Sequence, residues 1–370
     1  METLTQVAAV AACLLTSVAA NAAPSITFIR GITDRNNTSI TALSGDGRVA
    51  VGYADSATAT TWTWTQETGR VDILNAAPAG QMRWADSVSR DGNTVVGFTG
   101  SLASIRSPGT ADQTVAPPSG YRGVQARGVS ANGGTLVMNL IATTRERVAF
   151  WDRTGGYTIM PNVTASENYA VPFALSDDGN TIVGISGVQI GNNDPTHSGT
   201  VWRRDGAVAS LRSLPGTQDE TRAFAVSADG SIIAGDSLGI RTEACYWTSP
   251  TQSVGLGVLP GFSDSSVLAL DSAGTILGGS SRFGPFSTAF IWTQELGMVT
   301  AASYLAGRGL QIPAGWNLRS VTAISADGTT FGGIASSATT PETAFIARVP
   351  ATGLALFPFA VALTMARRRR

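Results

Sequence analysis

Ala42-Leu43-Ser44-Gly45-Asp46-Gly47, running into Val49-Ala50-Val51-Gly52, sets out the unit from which the chain is built: a small, apolar run ending in serine, a tight turn, then an apolar run ending in glycine. The Asp-Gly pair supplies the positive φ angles of a tight hairpin, because glycine has no Cβ to clash and aspartate tolerates the left-handed region. The unit recurs as Ala174-Leu175-Ser176-Asp177-Asp178-Gly179 before Thr181-Ile182-Val183-Gly184, and almost unchanged around Gly230 and Gly328. Weaker copies centre on Gly92, Gly133 and Gly274. The turn glycines at 47, 92, 133, 179, 230, 274 and 328 are spaced 41 to 54 residues apart. Seven copies at that period match propeller blades and are too long for leucine-rich or ankyrin units, so each copy holds about four strands.

A third strand follows the hairpin as an aromatic run: Thr61-Trp62-Thr63-Trp64, Ala149-Phe150-Trp151, Val201-Trp202, Tyr246-Trp247 and Ala289-Phe290-Ile291-Trp292. Large rings at equivalent places in successive units fill the space between facing sheets, which favours a core role over carbohydrate stacking. A fourth strand is read after a glycine turn, at Val71 to Leu74, Leu211 to Gly216 and Val254 to Gly261. In the seventh unit Thr343-Ala344-Phe345-Ile346-Ala347 leads on with no fourth strand, while Ser25-Ile26-Thr27-Phe28-Ile29-Arg30-Gly31 fits that pattern and stands alone before the first repeat. Pairing these two leaves no open sheet edge. The fold predicted is all-β, a seven-bladed β-propeller of four-stranded antiparallel blades, closed by an N-terminal strand that completes the last blade. The alternative is an open β-array with that strand as a cap.

The units resemble the HAF-type extracellular repeat, named for a His-Ala-Phe triplet at the start of the third strand. The Ala-Phe pair stands at Ala149-Phe150, Ala289-Phe290 and Ala344-Phe345, with Val148, Thr288 and Thr343 in place of the histidine. The resemblance covers most of residues 41 to 347, with the second copy the poorest match. It implies an extracellular repeat protein and brings no catalytic residues.

Val7 to Ala20 is an apolar run of small residues ending at Ala20-Asn21-Ala22, the small-x-small pattern that signal peptidase accepts, with Ala23-Pro24 behind it. Residues 1–22 are read as a signal peptide cut between Ala22 and Ala23, residues 23–348 as the seven-repeat propeller, and residues 349–370 as a sorting tail. In that tail Val349-Pro350-Ala351-Thr352-Gly353 precedes the apolar run Leu354 to Met365 and the cluster Arg367 to Arg370. The run is short for a membrane span, which takes about 20 residues, and the terminal arginines suit transient membrane contact at the cytoplasmic face. The tail resembles the PEP-CTERM sorting signal of bacterial surface proteins, which an exosortase reads. Val349 to Gly353 also looks like a sortase motif, so the processing enzyme is left open. Export and sorting machinery are the implied partners, and secretion or the bacterial cell surface the implied location.

Only 14% of the residues are charged and the formal net charge is −1, so no basic surplus offers itself to nucleic acid. All basic residues are arginine. Behind the signal, Cys245 is the single thiol, which excludes an internal disulfide and reads as a small core residue. His197 is the sole histidine and reads as a loop residue, because one histidine makes no multi-histidine metal site. The turn carboxylates Asp46, Asp91, Asp178, Asp229 and Asp327 supply one oxygen group per unit, where calcium takes six to eight ligands, so turn chemistry accounts for them and no cofactor is expected. Segments of about Ser101 to Tyr121, Ser186 to Ser198 and Thr300 to Asn317 exceed the length of blade connections and are where binding is expected. Trp316 in the last of these reads as a plug over the core. With export signals and no convergent set of titratable residues, the sequence points to a non-enzymatic propeller. Its loops would bind an envelope or extracellular-matrix polymer or a protein. Two alternatives stand beside it: a secreted polysaccharide- or peptide-cleaving enzyme with carboxylates at the central channel, and a structural coat protein.

Overall fold

The computed structural model describes residues 23–29, 38–54, 60–72, 82, 84–189, 196–217 and 220–350. The expected signal peptide with Ala22, and the tail from residue 351 on, lie outside the described residues. Seven four-stranded antiparallel sheets follow one another along the chain. In blade 1 the order from the channel outward is Thr38–Leu43, Val49–Ala54, Thr60–Thr65 and Gly69–Asp72. Blades 2 to 6 repeat it, with inner strands Trp84–Val88, Gly123–Val129, Tyr169–Leu175, Glu220–Val226 and Asp264–Leu270. Blade 7 runs Trp316–Ile324, Thr330–Ser337 and Thr340–Arg348, and its outermost strand is Ser25–Ile29, in register Ser25 to Arg348 and Ile29 to Ala344. The ring is therefore closed as the sequence predicts.

The closing seam is stitched by a device found inside the continuous part of the chain. Thr38 at the start of blade 1 donates its hydroxyl to Ile29 O at 2.6 Å and accepts from Ala344 N at 2.8 Å, tying both outer strands of blade 7. Thr221 of blade 5 does the same to Leu211 O and Gly199 N of blade 4. A hydroxyl that both donates and accepts satisfies two buried backbone groups at once, which hydrocarbon packing cannot do.

Between blades the aromatic third-strand residues form the core. Trp62, Phe150, Trp202, Trp247, Phe290 and Phe345 are at most 1% exposed, and Phe150 and Trp202 of adjacent blades share one cluster with Val137 and Ile182. Full burial of each ring contributes roughly 1.5–3 kcal/mol. Cys245 is buried in the blade 4/5 cluster, and burial, with Asp236 and Glu243 nearby, pushes its thiol well above the usual range. The long third segment folds as a six-residue helix, Ala301–Ala306, capped by Thr300. Tyr304, Leu305 and Leu310 are buried against blade 7, and Trp316 stacks on Phe28 of the closing strand at 3.9 Å.

The repeated turn works through its side chains. Ser44 Oγ donates to Asp46 Oδ1 at 2.7 Å and accepts from Val49 N at 2.9 Å, and Asp46 Oδ1 also accepts from Arg48 N. The same bonds recur at Ser227–Asp229 and Ser325–Asp327, and Asn132 takes the aspartate's place in blade 3. Gly47 has φ +65°, and a Cβ there would lie 2.4 Å from Thr330 Oγ1 of blade 7, so the turn glycine also sets how closely one blade rests on the last.

Candidate active site

A glycine inside the second strand of six of the seven blades shapes the channel wall. Gly52, Gly97, Gly184, Gly235, Gly279 and Gly333 each face an inner-strand residue whose carbonyl would stand 1.7–2.1 Å from an added Cβ. That close approach accommodates a β-bulge, which leaves one inner-strand residue unpaired. In blades 1 to 4 the residues so displaced are Thr41, Asp86, Arg127 and Phe173. In blades 5 to 7 they are Phe224, Leu268 and Thr322, and blade 7 has a second bulge at Arg319. Blade 3 has Met138 where the glycine would be and instead carries Gly128 beside its bulge. All of the displaced residues but Arg319 line one cavity of about 200 Å³ in the central channel.

At the end of the channel bearing the Ser-x-Asp-Gly turns, backbone hydrogen bonds link the turns of neighbouring blades. Ala326 N donates to Gly45 O, Gly45 N to Arg90 O, Ala131 N to Asp177 O, Asp178 N to Ala228 O, Ala228 N to Ser272 O, and Ser272 N to Ala326 O. Arg90 reaches across this mouth to the Asp177 carboxylate and to Ser272 Oγ, joining blades 2, 4 and 6. Only the step from blade 2 to blade 3 lacks a turn-to-turn bond among the described residues.

At that same seam, in the bulge layer, Asp86 Oδ1 lies 3.5 Å from Arg127 Nη1. Asp86 Oδ2 and Arg127 Nε are buried with no hydrogen-bond partner. Burial pushes the Asp86 carboxyl up to about 6, and Arg127 offsets this only in part. Arg127 is held by Gln125 Oε1 at 2.7 Å and by the Phe98 ring, 5.5 Å from its Cζ. Phe98 stacks on Trp84, which meets Tyr53 edge-on, so an aromatic wall runs beside the pair. Asn139, opposite Gln125, donates to Glu146 Oε2 at 3.1 Å and leaves its own buried Oδ1 without a partner. Tyr169, entering blade 4, has its phenol raised by burial and by Glu146, against an opposing pull from Arg127.

Asp236, in the second strand of blade 5, shows what a purely structural pairing looks like. It is fully buried, accepts from Arg222 at 2.9 and 2.7 Å through two bonds, and takes a third from Ser266 Oγ at 2.7 Å. Asp86 has one distant cation and an unused oxygen. A carboxylate in that condition is poised to exchange a proton with a bound molecule.

The segments read from sequence as long connections are in part strands. Ser101 to Tyr121 holds the outer strands of blade 2, Leu102–Arg106 and Gln113–Val115, and the two ends of Ser186 to Ser198 lie in the strands Thr181–Val188 and Thr196–Arg203. His197 is in that last strand opposite Gly187, not in a loop. The fourth strands begin earlier than read: Val208–Ser210 precedes Leu211 in blade 4, and Gln252–Gly257 is the one in blade 5. Of the processing residues, Ala23 is exposed ahead of the closing strand, while Val349 is 5% exposed in the blade 7 cluster and donates to Thr329 O at 2.9 Å, with Pro350 after it.

No protein-family model matches the chain, and no curated protein does. Solved structures do. An oligogalacturonate lyase from Vibrio parahaemolyticus is 12% identical with a TM-score of 0.57, covering 89% of this chain and 97% of its own. An oligogalacturonate lyase in complex with manganese is 11% identical, with the same TM-score and coverage. At that identity the likeness is one of fold. Both of these structures are enzymes, so the expectation of a non-enzymatic binding propeller is corrected to this extent: the fold it rested on is one that lyases also use. The manganese of the second structure has no counterpart in the donor set here. Among the described residues no three His, Cys, Asp or Glu side chains cluster, and the Asp86 pair offers one carboxylate beside a cation.

Proposed function

We propose that this chain cleaves an acidic polysaccharide by elimination at the blade 2/3 side of its central channel. The observation that carries the reading is Asp86: a carboxylate on the channel wall, raised to about 6, with one oxygen unpartnered and Arg127 3.5 Å away. A uronate unit supplies what this pair lacks. Its carboxylate pairs with the Arg127 guanidinium, which is always charged and suited to carboxylates. The electron-withdrawing carboxylate acidifies the neighbouring C5–H, and Asp86 takes that proton. The electrons form the C4–C5 double bond and the C4–O glycosidic bond breaks, with a proton delivered to the departing oxygen. Tyr169, whose phenol is raised by burial and Glu146 and opposed by Arg127, is the hydroxyl we assign to deliver that proton. The stacked Trp84 and Phe98 rings back the guanidinium that takes the uronate carboxylate. The fold shared with two oligogalacturonate lyases supports the reaction class. No step is assigned to a metal.

Incubation with oligogalacturonate and other uronate polymers tests the reading. Elimination generates a conjugated double bond seen as ultraviolet absorbance, together with new reducing ends; hydrolysis generates reducing ends alone. Absorbance that grows with wild type and is lost in both Asp86→Asn and Arg127→Ala supports it. No absorbance from any uronate polymer, or full activity in Asp86→Asn, overturns it.

For the route to that site, we infer an exported protein. The small-x-small pattern at Ala20 to Ala22 and the Val349-Pro350 motif ahead of an apolar run and four arginines support export and surface sorting of a HAF-like propeller. Mass spectrometry of both termini in the surface fraction checks this, with an intact Met1 and Arg370 in the cytoplasm as the contrary result.

A further inference from the structure

A second cavity, of about 390 Å³, opens between blades 3 and 4. It lies on the face opposite the Ser-x-Asp-Gly turns, since it is walled by the loop joining the second and third strands of blade 3 and by the entries to two inner strands. Arg122 and Thr143 to Glu146 form one side, and Asn168 and Gln189 the other. The second side is locked: Asn168 Nδ2 donates to Gln189 O and Gln189 N donates to Asn168 Oδ1, at 3.0 and 2.8 Å. The first is closed by Ala142 N on Arg145 O at 2.9 Å.

The charges in this cavity are unbalanced. Neither Arg122 nor Arg145 takes part in an ion pair of the described residues. Arg145 lies over the Tyr121 ring, 5.5 Å from its centroid, which orients the guanidinium without using its N–H donors. The one carboxylate in the wall, Glu146, is already engaged by Asn139 at 3.1 Å. Two cationic forks in a preformed recess of ligand size are a carboxylate-binding arrangement, because guanidinium matches the two oxygens of a carboxylate in a plane.

We propose that this cavity binds a uronate unit through Arg122 and Arg145 and so holds the acidic polymer beside the channel. Glu146 links the two places, since it lines the cavity and its charge raises the Tyr169 phenol. The polymer's continuity with the channel rests on the cleavage reading above; the anion site itself does not.

The test is calorimetric titration of the full chain, in an Asp86→Asn background so that nothing is consumed, with trigalacturonate and with its methyl ester. Expected are binding of the acid, weakening of about tenfold or more in Arg122→Gln/Arg145→Gln, and a comparable loss on esterification, which is the weight of one charge-assisted pair. Arg122→Lys/Arg145→Lys keeps the charge and is expected to retain part of the affinity, with unchanged thermal melting for both double variants. Equal affinity for acid and ester, or an unchanged affinity in the glutamine double variant, overturns the proposal. In the active background the glutamine variant should raise KM and leave kcat within about twofold. Acid binding that depends on these arginines, without any cleavage by wild type, leaves this site standing and removes the cleavage reading. Cleavage with KM and affinity both untouched by the substitutions does the reverse.

Discussion

The seam between blades 7 and 1 and the seam between blades 2 and 3 are built from the same repeat, and they finish differently. At the first, Ala326 N meets Gly45 O, Thr322 Oγ1 meets Ile40 O at 2.9 Å, and the Thr38 hydroxyl serves two backbone groups. At the second, no turn-to-turn bond is made among the described residues and the bulge positions hold Asp86 and Arg127, with a buried atom of each unpartnered. Each seam keeps buried donors without partners, Trp62 Nε1 and Arg348 Nε at the first and Arg127 Nε at the second, but only the second leaves a carboxylate oxygen bare. Leaving such a group unpartnered costs about 1–3 kcal/mol, so it persists where something other than stability is gained.

Asp86→Asn breaks the comparison most directly. Loss of a proton-transfer group should reduce kcat/KM on a uronate oligomer by about 10²- to 10⁴-fold. Stability should move the other way. Between the ordinary carboxylate value of 3.8 and about 6, the folded chain retains a proton that the unfolded chain has released, so stability falls as pH rises through that window. Above it the ionised carboxylate costs up to about 3 kcal/mol, which asparagine removes. Denaturation midpoints of the two proteins should therefore coincide near pH 4 and separate above pH 6. Since Asp86 acts ionised, activity should rise with pH through about 6; a fall there would assign it as an acid and undo the elimination scheme.

The bulges are tested by Gly235→Ala. An added Cβ would stand 1.8 Å from Arg222 O, a clash with backbone that side-chain rotation cannot relieve, and a loss of about 2–4 kcal/mol is expected in urea unfolding. A loss below about 1 kcal/mol would mean that the bulge does not depend on this glycine.

In sequence those glycines read as the end of a strand, and the structure carries each strand two or more residues past them, whereas the seven turns, the buried rings and the closing strand were legible. Each is fixed by local sterics or by alternation within one repeat. The candidate site was not. Asp86 and Arg127 sit three residues before Ser89 and Ser130, as Thr41 does before Ser44 and Phe224 before Ser227. That column could have been compared across the repeats, where opposite charges in adjacent copies stand out. What the column lacked was a direction, because regular alternation gives no warning that a bulge turns one residue toward the channel. The poorest copy of the repeat, the second, holds the carboxylate, so the match to a consensus was weakest where the chemistry departs from it.

Arg90→Ala sharpens the contrast between the two ends of the channel. The arginine is 41% exposed and ties blade 2 to Asp177 and Ser272, so its removal should cost no more than about 1 kcal/mol. Turnover should stay within about twofold, since the proposed uronate recess opens on the opposite face. An activity loss approaching that of Asp86→Asn would place the working mouth at the turn end.

The smallest effect expected is at the turns themselves, and blade 3 has already made the substitution. Asn132 accepts from Ser130 Oγ and Gly134 N at 3.0 and 2.9 Å in the geometry that aspartate has elsewhere. Asp229 is held at about 2 by the Ser231 N–H and by the Ser227 and Ser231 hydroxyls, so its contribution is present above the ordinary carboxylate value and is lost as pH falls through about 2. Asp229→Asn keeps one acceptor oxygen and should change stability at neutral pH by less than about 1 kcal/mol, the net worth of one hydrogen bond. Its acid-unfolding limb between pH 4 and 2 should be shallower than that of wild type, because asparagine has no proton to take up. If the limb is unchanged while Asp229→Ala destabilises at every pH, the carboxylate oxygens matter as acceptors and their charge does not. The turn end would then owe its stability to geometry alone, in contrast with the ionisable pair across the channel.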